Sequence, residues 1–136
     1  MKNKKILIIT ADYYSKISNA LKKDAINVLK NKKAIINFQE VPGVFEIPVV
    51  ISKNINKYDG FVVLGCVIKG KTPHFDFICK TTFNYIMHLS INSKKPIGNG
   101  IITALNMKQA IIRSKKKGLE ASIAVISILS NVPRKQ

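Results

Sequence analysis

The stretch DGFVVLGCVIKGKTPHFD, residues 59–76, decides how the chain folds. Asp59-Gly60 is a turn signal. Phe61 to Ile68 is a continuous apolar run of strand length, as expected for a strand covered on both faces. Lys69 to Thr72 is a polar, glycine-containing loop. Thr72 and Pro73 then read as an N-cap followed by a first helical residue, opening a helix from about His74 to Ser90. On that helix Phe75, Ile78, Cys79, Thr82, Ile86 and Leu89 form one stripe. The segment is therefore a buried strand running into a helix through a loop.

The same unit recurs on either side. Lys5 to Thr10 is an apolar strand. Ser15 to Asn31 is an amphipathic helix with Ile17, Leu21, Ala25 and Val28 inward and Lys16, Lys22, Lys23 and Lys30 outward. Ala34 to Val41 is a second strand. Pro42-Gly43 turns the chain into an apolar helix from Phe45 to Ile55, where Pro48 is tolerated in the first turn. Gly100 to Ala104 is a short fourth strand, and helices over Asn106–Arg113 and Leu119–Leu129 close the chain. Alternating strands and helices with buried strands give an α/β fold: one parallel sheet between two helical layers, in a single domain spanning 1–136. In such sheets ligands bind beyond the carboxyl ends of the strands, which is where the unusual motifs are expected to fall.

Composition narrows the function. The 136 residues carry a net charge of +16 and are 46% hydrophobic. Their isoelectric point is about 10.0 and mean hydropathy +0.09. Such a chain can bury a core and is not disordered. The lysines read as scattered over polar helix faces, and the only arginines are Arg113 and Arg134. Nucleic-acid readers favour arginine for forked contacts to bases, so no nucleic-acid partner is expected. A field that attracts small anions is. Cys66 and Cys79 lie in apolar segments without metal-ligand spacing and read as buried thiols. No apolar run is long enough to span a membrane or to form a signal peptide, so no membrane partner and a cytoplasmic location are expected.

Four segments carry candidate chemistry. Ala11-Asp12-Tyr13-Tyr14 follows the first strand, and Tyr13 could stack on a flat ring or pack on its own domain. In PGVFEIP, residues 42–48, Glu46 sits in a first helical turn, where the helix dipole favours a carboxylate whether or not a ligand is present. In GCVIKGKTPHFD, residues 65–76, the loop can aim backbone donors and a hydroxyl at an anion. His74 at the following helix start is a candidate proton-transfer group, whereas His88, in mid-helix, is a bland surface histidine. In GNGIITALNMKQAIIR, residues 98–113, Arg113 stands out in a lysine-rich chain as a forked anion ligand.

PGVFEIP, GCVIKGKTPHFD and GNGIITALNMKQAIIR, in this order and spacing, resemble the lumazine synthase family, and with the ADYY loop they cover nearly the whole chain. The resemblance implies a flavodoxin-like three-layer sandwich with a four-stranded parallel sheet. It implies condensation of 5-amino-6-(D-ribitylamino)uracil with 3,4-dihydroxy-2-butanone 4-phosphate, without metal or organic cofactor. It also implies a homopentamer, in some members packed into a larger shell, with each active site between adjacent subunits. The product passes to riboflavin synthase.

Carried over position by position, Tyr13 stacks on the pyrimidine. Val44, Phe45 and Glu46 line the ribityl pocket, with Glu46 accepting hydroxyl hydrogen bonds. Val67 and Ile68 flank the ring, beside Lys69. Lys71 and Thr72 form the phosphate-side loop, and His74 is the catalytic proton shuttle. Asn99 and Arg113 come from the neighbouring subunit, Arg113 on the phosphate. The family's lysine before the last glycine falls on Lys117, with Lys115 and Lys116 as alternatives because that stretch is short here. Asp12 stands where family members usually have arginine, and Asn99 where many have an aromatic.

Three rivals make different demands. A phosphorelay receiver needs clustered acids at the first and third strand ends, and Asp12 has no companion after Leu64. A non-enzymatic flavin-binding scaffold would not need His74 and Arg113. A basic nucleic-acid-binding domain rests on charge alone.

Overall fold

The computed structural model describes residues 1–70, 73–130 and 133. Four strands form one parallel sheet: β1 (Lys5–Ala11), β2 (Ile35–Val41), β3 (Gly60–Ile68) and β4 (Ile97–Ala104), in the order β2-β1-β3-β4. The helices are α1 (Ser15–Asn31), α2 (Ile47–Asn54), α3 (His74–Ser93), α4 (Met107–Arg113) and α5 (Lys117–Ser130), with a 3-10 turn over Val44–Glu46 ahead of α2. This is the three-layer α/β architecture that the strand–helix alternation predicts.

Strand alternation sorts the core. Ile6, Ile8, Val62, Leu64 and Ile102 face α1, α4 and α5 through Leu21, Ala25, Ala110, Ala121 and Val125. Leu7, Ile9, Phe61, Val63 and Ile101 face α2 and α3 through Ile47, Ile51 and Ile86. Each fully buried aliphatic of this kind contributes on the order of 1.5–3 kcal/mol. The two central strands are buried on both faces, as expected. β2 is not: six of its seven residues are exposed or half-buried because it forms an edge of the sheet.

Several boundaries differ from the sequence reading. The helix expected over Phe45–Ile55 is a 3-10 turn followed by α2, with Pro48 in α2's first turn. Pro73 is the cap of α3, not its first residue, and its carbonyl accepts the amide of Phe77. α3 continues to Ser93 and ends on left-handed Lys94, where the Lys95 amide returns to the Ser90 carbonyl.

β4 starts three residues earlier than predicted, so Gly98 and Asn99 lie inside the strand with Gly100 and not in a loop before it. The reason is packing. A Cβ at Gly98 would stand 2.1 Å from the Ala121 carbonyl oxygen, and one at Gly100 2.5 Å from Leu64 Cδ2. Both glycines let α5 lie directly on β4. Gly118 plays the same part at the start of α5, where a Cβ would meet the Leu21 carbonyl oxygen at 2.4 Å.

Candidate active site

The chain leaves β1 toward β2 on one side and reaches β3 on the other, so the sheet's switch point lies between the carboxyl ends of β1 and β3. Open parallel sheets bind ligands at such crevices. A cleft of about 420 Å³ opens there, lined by Tyr13, Tyr14, Gly43, Val44, Phe45, Glu46, Cys66, Val67, Ile68, His74 and Ile78.

Local structure explains how these side chains meet. The Asp12 amide donates to the Val41 carbonyl, tying the loop after β1 to the end of β2. The buried Ser18 hydroxyl donates to the Ala11 carbonyl at 2.5 Å and fixes the same loop from below. Gly65 lets the 3-10 turn settle onto the sheet, since a Cβ there would lie 2.9 Å from Val44 Cγ1 and 3.0 Å from Ala11 Cβ. Glu46 bends back over Gly43, whose absent Cβ would sit 3.3 Å from its Oε1. Tyr13 is 76% exposed and Phe45 60%. Two aromatic rings at the mouth of a small cleft offer a flat ligand a surface on which to stack. Tyr13 meets Tyr14 edge-on, centroids 4.9 Å apart.

Burial pushes the Cys66 thiol up to about 11, so at neutral pH it is a protonated apolar wall and not a nucleophile. Burial, helped by Tyr13 and Cys66, also raises the Tyr14 hydroxyl. Cys79, expected to be buried, is half-exposed on α3; burial and the nearby Asp76 raise its thiol.

A second cleft of about 560 Å³ lies beside β4. It is lined by Ile101, Ile102, Thr103, Ile112, Arg113, Lys115, Lys116, Lys117 and Glu120. The side chain of Asn106 caps α4 by accepting the Gln109 amide at 2.9 Å. That helix ends at Arg113, whose guanidinium donates to the Thr103 carbonyl. All three lysines before Gly118 reach this cleft, so geometry does not single out Lys117.

The structure thus gathers Tyr13, Val44, Phe45, Glu46, Val67, Ile68 and His74 in one cleft and Arg113 with Lys117 in another. Lys69 lines neither; its amide is bonded to the Ala104 carbonyl. Asn99 also lines neither. It is half-buried in β4, opposite Val63, and its Oδ1 accepts the Ile101 amide at 3.0 Å. Asn99, in β4, and Arg113, at the end of α4, both bond backbone groups of the edge strand β4. Lys71 and Thr72 fall outside the described residues. Sequence reasoning did not place Gly43, Tyr14, Cys66 or Ile78 in the first cleft. Ile78 had a usable signal, lying one helical turn after His74 on the apolar stripe.

The fold and clefts define an α/β enzyme class that holds small molecules beyond the carboxyl ends of a parallel sheet. Comparison with known proteins supplies the particular family. The model of the 6,7-dimethyl-8-ribityllumazine synthase family matches residues 3–132. The chain is 40% identical to a 6,7-dimethyl-8-ribityllumazine synthase of Bartonella tribocorum, over 90% of this chain and 87% of that protein. It is 33% identical to the protein of that name from Corynebacterium glutamicum, covering 90% and 80% of the two chains. The Helicobacter pylori protein of that name is also 33% identical, with 94% and 88% covered. The chain belongs to the 6,7-dimethyl-8-ribityllumazine synthase family and is an enzyme of riboflavin biosynthesis.

Proposed function

We propose that the two clefts are halves of one active site, completed where neighbouring subunits of a homopentamer meet. In this site 5-amino-6-(D-ribitylamino)uracil condenses with 3,4-dihydroxy-2-butanone 4-phosphate. The observation supporting this is the separation itself: Glu46, Tyr13 and His74 line one cleft and Arg113 the other, and the clefts share no residue among those described. A bisubstrate reaction needs both sets together. Among the described residues sixteen large apolar side chains are exposed, including Phe77, Tyr85 and Ile91 on α3 and Ile111 and Ile112 on α4. Apolar surface on that scale favours burial between copies.

The first cleft suits the pyrimidine. Tyr13 and Phe45 stack on the ring, Val67 and Ile68 flank it, and Glu46 accepts hydrogen bonds from the ribityl hydroxyls beside Val44. The neighbour's Arg113 and a lysine among Lys115, Lys116 and Lys117 hold the phosphate. Lys69, Lys71 and Thr72 approach it from the loop after β3, and the neighbour's Asn99 borders the ring. The arylamine attacks the ketone and an imine forms with loss of water; phosphate is eliminated, leaving a second carbonyl, on which the ribitylamino nitrogen closes the ring with loss of a second water. Holding the two reactants in register supplies most of the gain. His74 moves protons between these steps. No cofactor is needed for this sequence. The assembly is cytoplasmic, a pentamer alone or packed into a larger shell, and its product is the substrate of riboflavin synthase.

The test is direct. Purified protein given both substrates should form a lumazine chromophore, with light scattering reporting a multiple of five chains. A monomer that forms the product at full rate would refute the shared site.

A further inference from the structure

Ten of the 21 lysines, scattered in the sequence, gather at one end of the fold. Lys2, Lys4, Lys5, Lys30, Lys32, Lys33, Lys53, Lys57, Lys94 and Lys95 all fall at the amino ends of the strands, opposite the clefts. Nine of the ten are exposed and Lys95 is half-buried. Backbone hydrogen bonds join their segments into one face: the Asn3 amide donates to the Lys33 carbonyl at 3.0 Å, Ile35 to Lys4 at 2.8 Å, Asp59 to Lys5 at 2.8 Å and Phe61 to Pro96 at 3.0 Å. The Lys95 ammonium reaches the Ile55 carbonyl. Of the seven acidic residues, Asp59 alone lies at this end, and its carboxylate accepts the Lys5 amide. Asp12, Glu40, Glu46, Asp76 and Glu120 lie toward the opposite end, and Asp24 within α1.

Helix dipoles explain part of this. A cation is favoured at a helix's carboxyl end. Lys30 in α1 and Lys53 in α2 lie in last turns, and Lys32 and Lys94 cap the carboxyl ends of α1 and α3. Lys2 and Lys4 precede β1 and Lys5 opens it, outside any helix.

We infer that this amino-end face is a docking surface for the phosphate backbone of duplex nucleic acid, without sequence preference. Lysine presents point charges that suit phosphates and lacks the fork that reads base edges. In segments 1–5, 30–34, 53–59 and 93–96 no aromatic side chain is exposed, and the exposed aliphatics at this end, Ile35, Ile91 and Ile128, stand singly. These segments therefore offer no aromatic platform for stacking single-stranded bases. Phosphate contacts without base readout remain.

The experiment uses the whole assembled protein and a fluorescent 20-base-pair DNA duplex, followed by anisotropy at rising salt. Parallel arms carry poly-glutamate and phosphatidylserine vesicles. Four phosphate contacts would weaken duplex binding roughly a hundredfold between 50 and 200 mM salt. K2Q/K4Q/K32Q/K57Q should lose at least tenfold in duplex affinity while lumazine formation is unchanged. K16Q/K23Q/K80Q/K108Q removes the same charge elsewhere and should lose less than threefold. Equal losses in the two variants would reduce the effect to net charge and overturn the proposal. So would tighter binding to poly-glutamate or vesicles than to the duplex, or no duplex binding at 50 mM salt.

Discussion

The clefts at the carboxyl ends of β3 and β4 lie on adjacent strands, and both have aliphatic walls, yet they differ in their polar groups. The cleft over β1 and β3 adds aromatic rings, one carboxylate and one histidine. The cleft beside β4 adds an arginine, three lysines and Glu120 to Ile101, Ile102 and Ile112. The first suits a flat, hydroxyl-rich heterocycle, the second a phosphate. Under the proposed shared site, each strand end would take one substrate and assembly would supply the proximity that one chain lacks.

The second cleft depends on α5 lying directly on β4, so its most damaging change is far from any ligand. Gly98→Ala would drive a methyl group into the Ala121 carbonyl. The expected cost is at least about 3 kcal/mol, beyond the usual range for overpacking because backbone must move. Urea unfolding measures it. A loss below 1 kcal/mol would mean that α5 does not sit as described.

Of comparable size is the effect expected at His74, which lines the first cleft and is proposed to transfer protons. His74→Ala should slow single-turnover lumazine formation by roughly 10²–10⁴-fold while substrate affinities stay within a few-fold. An unchanged rate would remove it from the mechanism.

Arg113→Lys keeps the charge of the second cleft and loses its fork. The Michaelis constant for the butanone phosphate should rise about 10- to 100-fold, the equivalent of one charge-assisted hydrogen bond. That for the ribitylaminouracil should barely move, and free phosphate should inhibit less. Lost pyrimidine affinity with intact phosphate inhibition would exchange the roles of the two clefts.

These residues also show what the sequence could reveal. The α1 boundaries were readable because an amphipathic period is local information: Ile17, Leu21 and Ala25 return to one face over 17 residues. The motif residues of the first cleft were readable for a related reason, since a loop after a buried strand has few places to go. The start of β4 was misread because Gly98-Asn99-Gly100 resembles a turn. Gly98 makes room for the Ala121 carbonyl and Gly100 chiefly for the Leu64 side chain on β3, distant partners that leave no local trace. The edge position of β2 was hidden likewise, because strand order is a property of the whole sheet. Composition misled as well: among lysines spread along the chain, ten come together at one end once parallel strands gather their amino termini.

A smaller effect concerns the wall of the first cleft. The Cys66 thiol is raised to about 11 from an ordinary 9.0. The folded chain therefore holds this proton where the unfolded chain releases it. Its contribution to stability is complete below pH 9 and lost as pH rises through 11. Melting temperature should fall across that window in the native chain and fall less steeply in Cys66→Ala. Identical slopes would show that the thiol is not buried against the cleft.

The claim that one site is shared between two chains is tested most directly by mixing. Glu46→Ala damages the first cleft and Arg113→Ala the second, so each pure variant should form lumazine slowly. Co-expressed and verified as mixed assemblies, they should regain a substantial part of native turnover, because some interfaces then join an intact first cleft to an intact second one. Mixed assemblies no more active than the pure variants would contradict the account, since Glu46 and Arg113 would then have to serve a site within a single subunit.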